Sequence, residues 1–233
     1  MRRVNGSVLA LTAVMLVTAV EARAQGDASR SVAGGGISVQ GWMGKVDARE
    51  ASAGQTVANA KFVAEGNGFH ITTGPATTYW KTGAPATGDY TVRATFTEPK
   101  YMSLNSHPHP YGIVIAGNGL GTADQNYIYC AAYGNGNFIV RGFGPAPFQM
   151  NGRGAANPAV HKAAAQGEPV TQEIAMSVKG DKVECSINGT VVGSYDKSAL
   201  VSSGKLTSTD GMYGLRFAHN TEVIVTGLTM TKN

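Results

Sequence analysis

The stretch TQEIAMSVKGDKVECSINGTVVGSYD, residues 171–196, decides the fold class of this chain. Apolar and polar side chains alternate over residues 182–187, so an extended chain would present them to opposite faces. A Gly-Asp pair at 180–181 and an Asn-Gly pair at 188–189 interrupt the stretch. Asn-Gly readily adopts the positive φ angles of a type I′ turn. The stretch therefore predicts three antiparallel strands in a meander.

The rest of the chain repeats this pattern. Residues 90–97 alternate in the same way, and residues 111–117 are apolar on both faces, as in a central strand. Glycine accounts for 31 of the 233 residues, and turn residues separate the short runs, which is typical of a sandwich or barrel. Only KSAL, residues 197–200, indicates a short helical turn. We expect an all-β fold, a single-domain, two-sheet antiparallel jelly-roll sandwich of about a dozen strands.

The first 24 residues predict a cleaved signal peptide. Two arginines precede an apolar run over residues 8–20, and residues 22–24 read Ala-Arg-Ala, a small-x-small cleavage site. The apolar run is too short to span a membrane comfortably. We therefore expect export to the periplasm or the cell exterior after cleavage near Ala24. A flexible, glycine-rich lead-in over residues 25–36 and the jelly roll over residues 37–233 should follow.

The charge and the two cysteines indicate which binding partners and which compartment the chain suits. The chain carries 19 Lys and Arg against 15 Asp and Glu, a net charge of +4, and the basic residues are scattered along it. Nucleic acid is therefore not an expected partner. No segment after the leader is apolar enough to span a membrane, and the oligomeric state is left open. Cys130 and Cys185 fall in predicted strands, where they would form one disulfide in an oxidising compartment or pack as two thiols.

Six segments together resemble a known group of proteins. They are FHITTGPATTYW, ATGDYTVRATF, HPHPYGIVIAG, QNYIYC, NPAVHKA and DGMYGLRFAHNTEV. From Trp42 to its C-terminus the chain resembles uncharacterised secreted bacterial proteins of the concanavalin A-like, laminin-G-like jelly-roll class. It is also distantly similar to the 3-keto-disaccharide hydrolase family, a domain long described as being of unknown function. The Asn-Ser-Gly-Ile and Tyr-Glu-x-Gln segments of that family read HPYGIVIAG and QNYIYCAAY here.

Three histidines are candidates for catalysis or metal binding. His107 and His109 are two residues apart, so an extended segment would place both rings on one side, compatible with one transition-metal ion and with His219 as a third ligand. The similar proteins carry a His-Pro-Glu-Ala-Tyr-Gly-like motif, and the resemblance therefore implies that His107 is shared while His109 replaces a commoner Glu. We favour a stiff, proline-held segment over a metal clamp. In an enzyme, His107 or His219 would be the general base, because imidazole titrates near neutral pH.

Two tyrosines and two arginines form the candidate floor of a sugar site. Sugars need aromatic faces and planar polar side chains. Tyr127 and Tyr129 share one face of a predicted strand, whereas Arg141 and Arg216 lie on otherwise apolar strands, where burial without a partner is costly. The alternative is that the tyrosines pack in the core and the arginines form surface ion pairs. If the floor lies on the concave sheet, the rim would consist of Trp80, His107, Tyr111 and His219.

Other kinds of site have weaker support. Asp124, Gln125 and Asn126 offer oxygen ligands for calcium, which jelly rolls of this class often carry, and no other cofactor is expected. The sequence contains neither the paired-carboxylate spacing of laminarinase-type glycosidases nor a Gly-x-Ser-x-Gly elbow. Residues 144–168 are rich in proline and predict a long irregular segment.

These features favour a secreted, non-catalytic domain that binds a carbohydrate or another ligand. One alternative is a hydrolase that acts on glycosides or on oxidised 3-keto sugars, as the distant resemblance implies. The other is a structural or interaction protein of the cell envelope that has no small-molecule site.

Overall fold

A computed structural model describes residues 28–152 and 154–233; the predicted signal peptide lies outside the described residues. The described chain forms sixteen strands, two short α-helices and one 3-10 turn. The strands are β1 (Gly36–Ile37), β2 (Trp42–Val46), β3 (Lys61–Glu65), β4 (Gly68–Thr72), β5 (Thr77–Lys81), β6 (Tyr90–Glu98), β7 (Tyr111–Asn118), β8 (Asn126–Ala132), β9 (Asn137–Phe143), β10 (Pro147–Gln149), β11 (Ala155–Ala156), β12 (Val170–Lys179), β13 (Lys182–Ile187), β14 (Thr190–Asp196), β15 (Met212–Phe217) and β16 (Glu222–Lys232). The helices are α1 (Ala48–Ser52) and α2 (Lys197–Leu200), and the 3-10 turn is Val57–Asn59. Neither helix is long and apolar enough to cross a membrane.

Two eight-stranded sheets form the fold. The first sheet has the order β1-β3-β4-β16-β6-β12-β13-β14. The second sheet has the order β10-β9-β8-β7-β15-β5-β2, with β11 also paired to β9. Among the named strands, only the β1–β3 pairing is parallel. The predicted all-β, two-sheet jelly-roll sandwich is therefore confirmed.

The predicted meander forms one edge of the first sheet as β12, β13 and β14. Asn188 and Gly189 have φ angles of 50° and 78°, the positive values that the Asn-Gly turn was expected to supply. Residues of β13 alternate between buried and more exposed positions, as the sequence pattern predicts. The helical turn expected after the meander is α2. Local sequence therefore determines this corner of the fold.

The inward faces of the two sheets share one main core. Its largest fully buried side chains include Phe62, Tyr79, Tyr90, Phe96, Tyr111 and Phe217. Cys130 of β8 and Cys185 of β13 form a disulfide across this core, with their Cα atoms 5.9 Å apart. Because β8 and β13 belong to different sheets, the bridge ties the two layers together. Of the two arrangements that the sequence left open, the disulfide is the one that forms.

The first described residues are held in place, which differs from the flexible lead-in expected over residues 25–36. The N–H group of Val32 donates to the carbonyl oxygen of Asn59 at 3.1 Å. Gly35 packs so closely that a Cβ atom there would lie 2.0 Å from the carbonyl oxygen of Ala58. Gly35, one of the glycines that suggested flexibility, instead allows a close approach of two backbones. The packed domain therefore includes residues before position 37.

The segment over residues 144–168 is less irregular than its prolines suggest. It contains β10 and β11, and both strands pair antiparallel with β9 at the edge of the second sheet. They are only three and two residues long. Proline lacks an N–H donor, so a proline-rich segment is compatible with short edge strands but not with a long central one.

Glu98, the last residue of β6, is a buried carboxyl group. It is 7 % exposed, and its Oε1 atom accepts a hydrogen bond from the N–H group of Met102 at 3.1 Å. Its Oε2 atom has no hydrogen-bond partner among the described residues. Burial raises the pKa of Glu98 to about 7, although the hydrogen bond from Met102 acts in the opposite direction. The folded protein therefore holds the Glu98 proton more tightly than an unfolded chain would.

Glu98 should make the protein less stable as the pH rises from 4 to 8. Its folded-state pKa lies above the unfolded value, so its stabilising protonation is complete at low pH and is lost as the pH rises through about 7. This group alone should lower the free energy of unfolding by about 3 kcal/mol over that range. Urea unfolding at several pH values measures the effect. Glu98→Gln should remove this component, and Glu173→Gln, at an exposed site on β12, should leave it; equal pH profiles for wild type and Glu98→Gln would refute the assignment.

Candidate functional site

The sequence-predicted floor residues converge on the outer face of the second sheet, which points away from the main core. Tyr127 and Tyr129 belong to a second apolar cluster, separate from the core side of the same strands. Arg141 lies directly opposite Tyr129 in the β8–β9 pair, and Phe143 lies opposite Tyr127. The guanidinium carbon of Arg216 lies 5.7 Å from the ring centre of Tyr129 and 5.5 Å from that of Phe143. We call these five residues the aromatic–arginine face.

Arg216 is the most buried charge on this face. Its side chain is 8 % exposed, and its two terminal nitrogens donate to the two carboxylate oxygens of Asp47 at 2.6 and 2.5 Å. It also donates to the hydroxyl of Thr78 at 3.1 Å, and that hydroxyl lies 2.9 Å from the hydroxyl of Tyr127. Burial acts to lower the pKa of Arg216, but Asp47 outweighs it and the pKa is raised. Arg216 therefore stays charged and serves as a support for the face.

Arg141 is more accessible than Arg216. It is half-buried, and its guanidinium carbon lies 5.2 Å from the ring centre of the half-buried Phe143. Its Nε atom is buried without a hydrogen-bond partner among the described residues. By contrast, Tyr127 and Tyr129 are only 1 % and 4 % exposed. The accessible side chains of this face are therefore Arg141 and Phe143, whereas the tyrosines beside them on the neighbouring strand are covered.

Two residues predicted for the rim lie elsewhere. Tyr111 is fully buried in the main core, where its ring stacks on Phe96 with centres 5.8 Å apart. It occupies the inward side of β7, so the rim position expected for it is wrong. Trp80 lies on the outer side of β5 but is only 4 % exposed, and Gly121 of the loop between β7 and β8 lies beside its ring. The sequence of β7, apolar on both faces, could not show which side the core covers.

The three candidate calcium ligands are mostly hydrogen-bonded within the protein itself. The Oδ1 atom of Asn126 accepts from the N–H and hydroxyl groups of Thr207 at 3.0 and 3.1 Å. The Oε1 atom of Gln125 accepts from the N–H group of Gly121 at 3.4 Å. Calcium needs six to eight oxygen ligands. Of the three side chains, only that of Asp124, which is exposed, is available as a ligand. This loop therefore fits calcium poorly.

A small pocket lies between β2 of the second sheet and β4 of the first. Its volume is about 170 Å³, and its aromatic walls are Trp42, Phe69 and Tyr213. Asn67 and Lys81 supply the polar side chains. We call it the edge pocket. The sequence did not indicate this pocket, because its residues come from strands of two different sheets.

The histidine cluster, formed by His107, His109 and His219, lies where β7 begins and β15 ends. Phe217 pairs with Tyr111 in the β15–β7 ladder. Continuing this antiparallel register places His219 opposite His109, and the N–H group of Ala218 donates to the carbonyl oxygen of Pro110 at 3.0 Å. One candidate ligand atom from each histidine lies within 4.8 Å of the others. The sequence favoured His107 over His109, yet the structure buries His109 and exposes His107.

A second, larger pocket adjoins the histidine cluster. Its volume is about 480 Å³, and its lining is mainly polar, with Arg30, Asn105, Ser106 and Gln166 among the side chains. The amide nitrogen of Asn105 lies 3.1 Å from Nδ1 of His109, and the hydroxyl of Ser106 lies 3.5 Å from Nδ1 of His107. The cluster is therefore next to a space that a small polar molecule could enter.

Solved structures with the same fold include proteins that bind or cleave carbohydrate. The carbohydrate binding module CBM66 from Bacillus subtilis matches with a TM-score of 0.55 and 9% identity, over 84% of this chain and 99% of that one. A protein of unknown function with a galectin-like fold, also from Bacillus subtilis, matches with a TM-score of 0.55 and 12% identity, over 82% and 89% of the two chains. The endo-beta-1,3-glucanase from Pyrococcus furiosus matches with a TM-score of 0.53 and 10% identity, over 86% and 91%.

These similarities establish the fold class, a galectin-like jelly-roll sandwich. No protein-family model matches the chain, and no curated protein matches it in sequence. The relationship to the 3-keto-disaccharide hydrolases therefore stays a prediction. At identities of 9 to 12%, what the three structures share with this chain is the architecture.

Proposed function

We propose that this protein is an exported jelly-roll domain that binds carbohydrate on its aromatic–arginine face. The observation that carries the proposal is the half-buried Arg141 guanidinium lying over the half-buried Phe143 ring. A sugar could pack its C–H surface against the ring and direct a hydroxyl or carboxylate to the terminal nitrogens of Arg141. The fold shared with a carbohydrate binding module and a glucanase supports this choice of ligand.

The rest of the face keeps these two side chains in position. Arg216 lies close to the ring of Phe143 and is itself fixed by Asp47. Tyr127 and Tyr129 lie beside them on the neighbouring strand β8, and burial raises the pKa of Tyr127 to about 12, so its hydroxyl stays neutral. The packing around Phe143 therefore holds its ring in place before a ligand arrives, which reduces the entropy cost of binding.

Export is part of the proposal. The predicted signal peptide indicates it, and the disulfide between Cys130 and Cys185 supports it, because such bonds form and persist in oxidising compartments.

Arg141→Ala should weaken glycan binding roughly 10- to 100-fold, because it removes charge-assisted hydrogen bonds. A glycan array on the purified protein identifies the ligand, and isothermal titration calorimetry then compares the variants. Arg93→Ala is the matched control, since Arg93 is an exposed arginine on a strand of the first sheet. Arg216→Ala and Tyr127→Ala are poorer tests because both side chains are buried and their loss would disturb packing.

The same titration locates the site. Equal affinities for the wild type and Arg141→Ala, with binding lost in Lys81→Ala, would move the site to the edge pocket and overturn the proposal for the aromatic–arginine face. A complete absence of hits on the array would count against carbohydrate binding.

One observation also supports the alternative that the protein is a hydrolase. His107 and His219, the two candidate general bases, do lie together beside a polar pocket. Cleavage of a glycoside or 3-keto glycoside during the titrations would favour this alternative over a purely binding function.

A further inference from the structure

The position of the histidine cluster follows from strand pairing. His109 lies on the same side of its segment as Tyr111, and His219 lies opposite it across the extended β15–β7 register. Pro108 and Pro110 flank His109 and restrict the backbone to extended conformations. His107, two residues earlier, returns to the same side, and its ring centre is 4.3 Å from that of His109. Two segments far apart in sequence therefore bring three imidazoles together.

The hydrogen bonds of His109 indicate which of its nitrogens carries the proton. Its Nδ1 atom lies 2.5 Å from the carbonyl oxygen of His219. A carbonyl oxygen can only accept, and this contact is shorter than the 3.1 Å contact between the Asn105 amide nitrogen and the same Nδ1 atom, so we assign the proton to Nδ1 and the lone pair to Nε2. Histidines that bind metals commonly donate their second ring N–H group to a backbone carbonyl in this way, which fixes the ring and its tautomer. The Nε2 atom of His109 in turn points at the Nε2 atom of His107, 2.8 Å away.

We propose that His107, His109 and His219 bind one divalent transition-metal ion such as Zn²⁺. Two nitrogens bound to one tetrahedral Zn²⁺ at about 2.0–2.1 Å lie about 3.3 Å apart. The separations in the cluster run from 2.8 Å between two of the rings to within 4.8 Å overall, so small rotations of the exposed His107 and the half-buried His219 suffice. On binding, the metal takes the position of the proton between His107 and His109, and His107 carries its proton on Nδ1 beside the Ser106 hydroxyl.

The donor set selects the class of metal. All three ligands are imidazoles, which suit Zn²⁺, Cu²⁺ and Ni²⁺, whereas Ca²⁺ and Mg²⁺ require oxygen ligands. Within the described part of the chain, no carboxylate or cysteine joins the three histidines in the cluster. Three ligands leave a fourth position for water or for a small polar molecule. The 480 Å³ pocket is lined by Asn105 and Ser106, whose side chains contact His109 and His107.

The test is a Zn²⁺ titration of the purified protein, produced without a histidine tag and treated with a chelator. Calorimetry should find one Zn²⁺ per chain with a Kd below about 1 µM, and Zn²⁺ should raise the thermal unfolding midpoint while Mg²⁺ does not. His107→Ala and His219→Asn should each weaken binding at least about tenfold. His161→Ala is the matched control, because this exposed histidine hydrogen-bonds Thr171 away from the cluster, and it should bind Zn²⁺ as the wild type does.

His107 is exposed, so its alanine variant should fold, and its thermal unfolding midpoint without metal verifies this. X-ray absorption of the Zn²⁺-loaded protein should give histidine nitrogens at about 2.0–2.1 Å. A Kd weaker than about 1 µM, or an unchanged Kd in His107→Ala, would overturn the proposal. The carbohydrate proposal concerns other residues, and Arg141→Ala should bind Zn²⁺ as the wild type does. Failure of the metal proposal would therefore leave the carbohydrate proposal unaffected.

Discussion

Asp47→Ala should lower the free energy of unfolding by about 3–5 kcal/mol, because it leaves a buried charge without its partner. Both terminal nitrogens of Arg216 donate to the Asp47 carboxylate, and the Arg216 side chain is 8 % exposed. A guanidinium keeps its proton throughout the pH range in which proteins are stable, so Arg216 cannot become neutral when its partner is lost. Urea unfolding of the variant and the wild type at neutral pH measures the difference.

Two controls separate the ion pair from general damage to the site. A double variant, Asp47→Ala with Arg216→Met, should be less destabilised than Asp47→Ala alone, because no unpaired charge stays buried. Asp196→Ala removes an exposed partner of Lys182 and should leave the unfolding midpoint unchanged within error. If Asp47→Ala behaved like Asp196→Ala, the pair would contribute little and the face would not depend on it.

Replacing both Cys130 and Cys185 with alanine should destabilise the protein by about 4 kcal/mol. The two residues are 55 positions apart, and the bridge restricts the unfolded chain over that length. It also joins β8 of the second sheet to β13 of the first, so its loss removes a covalent link between the layers. Chemical denaturation under non-reducing conditions gives the size of the effect.

Reduction of the wild type supplies the matched comparison. A thiol reductant present throughout unfolding should lower the wild-type midpoint towards that of the double alanine variant and should leave the variant itself unchanged. A wild-type midpoint that does not respond to reductant, in protein whose thiols have become titratable, would show that the bridge does not stabilise the fold.

Local patterns accounted for most of the secondary structure. The alternation along β6 and β13, the Asn188-Gly189 turn and the short α2 helix all follow from properties of neighbouring residues. The short strands β10 and β11 were missed because prolines obscure an edge strand. The docking of residues 28–36 was missed because glycine serves both flexible segments and close backbone contacts.

The candidate floor was found in part. Arg216 stood out because an arginine on an apolar strand needs a partner, but its partner Asp47 lies 169 residues away in the chain. Phe143 was not among the predicted floor residues, and Tyr111 was assigned to the rim although its side of β7 faces the core. Which face of a strand is covered depends on the layers packed against it. The alternation of apolar and polar residues along the strand cannot reveal that.

By itself, the sequence determined that this chain is a two-sheet β-sandwich, because alternation and turn chemistry act over a few residues. It also determined which side chains could take part in chemistry. Only the tertiary structure decided which of them meet. His109 and His219 are 110 residues apart, and the register of β15 against β7 places them opposite each other. That register results from the packing of the whole sandwich, so the histidine cluster exists only in the folded chain.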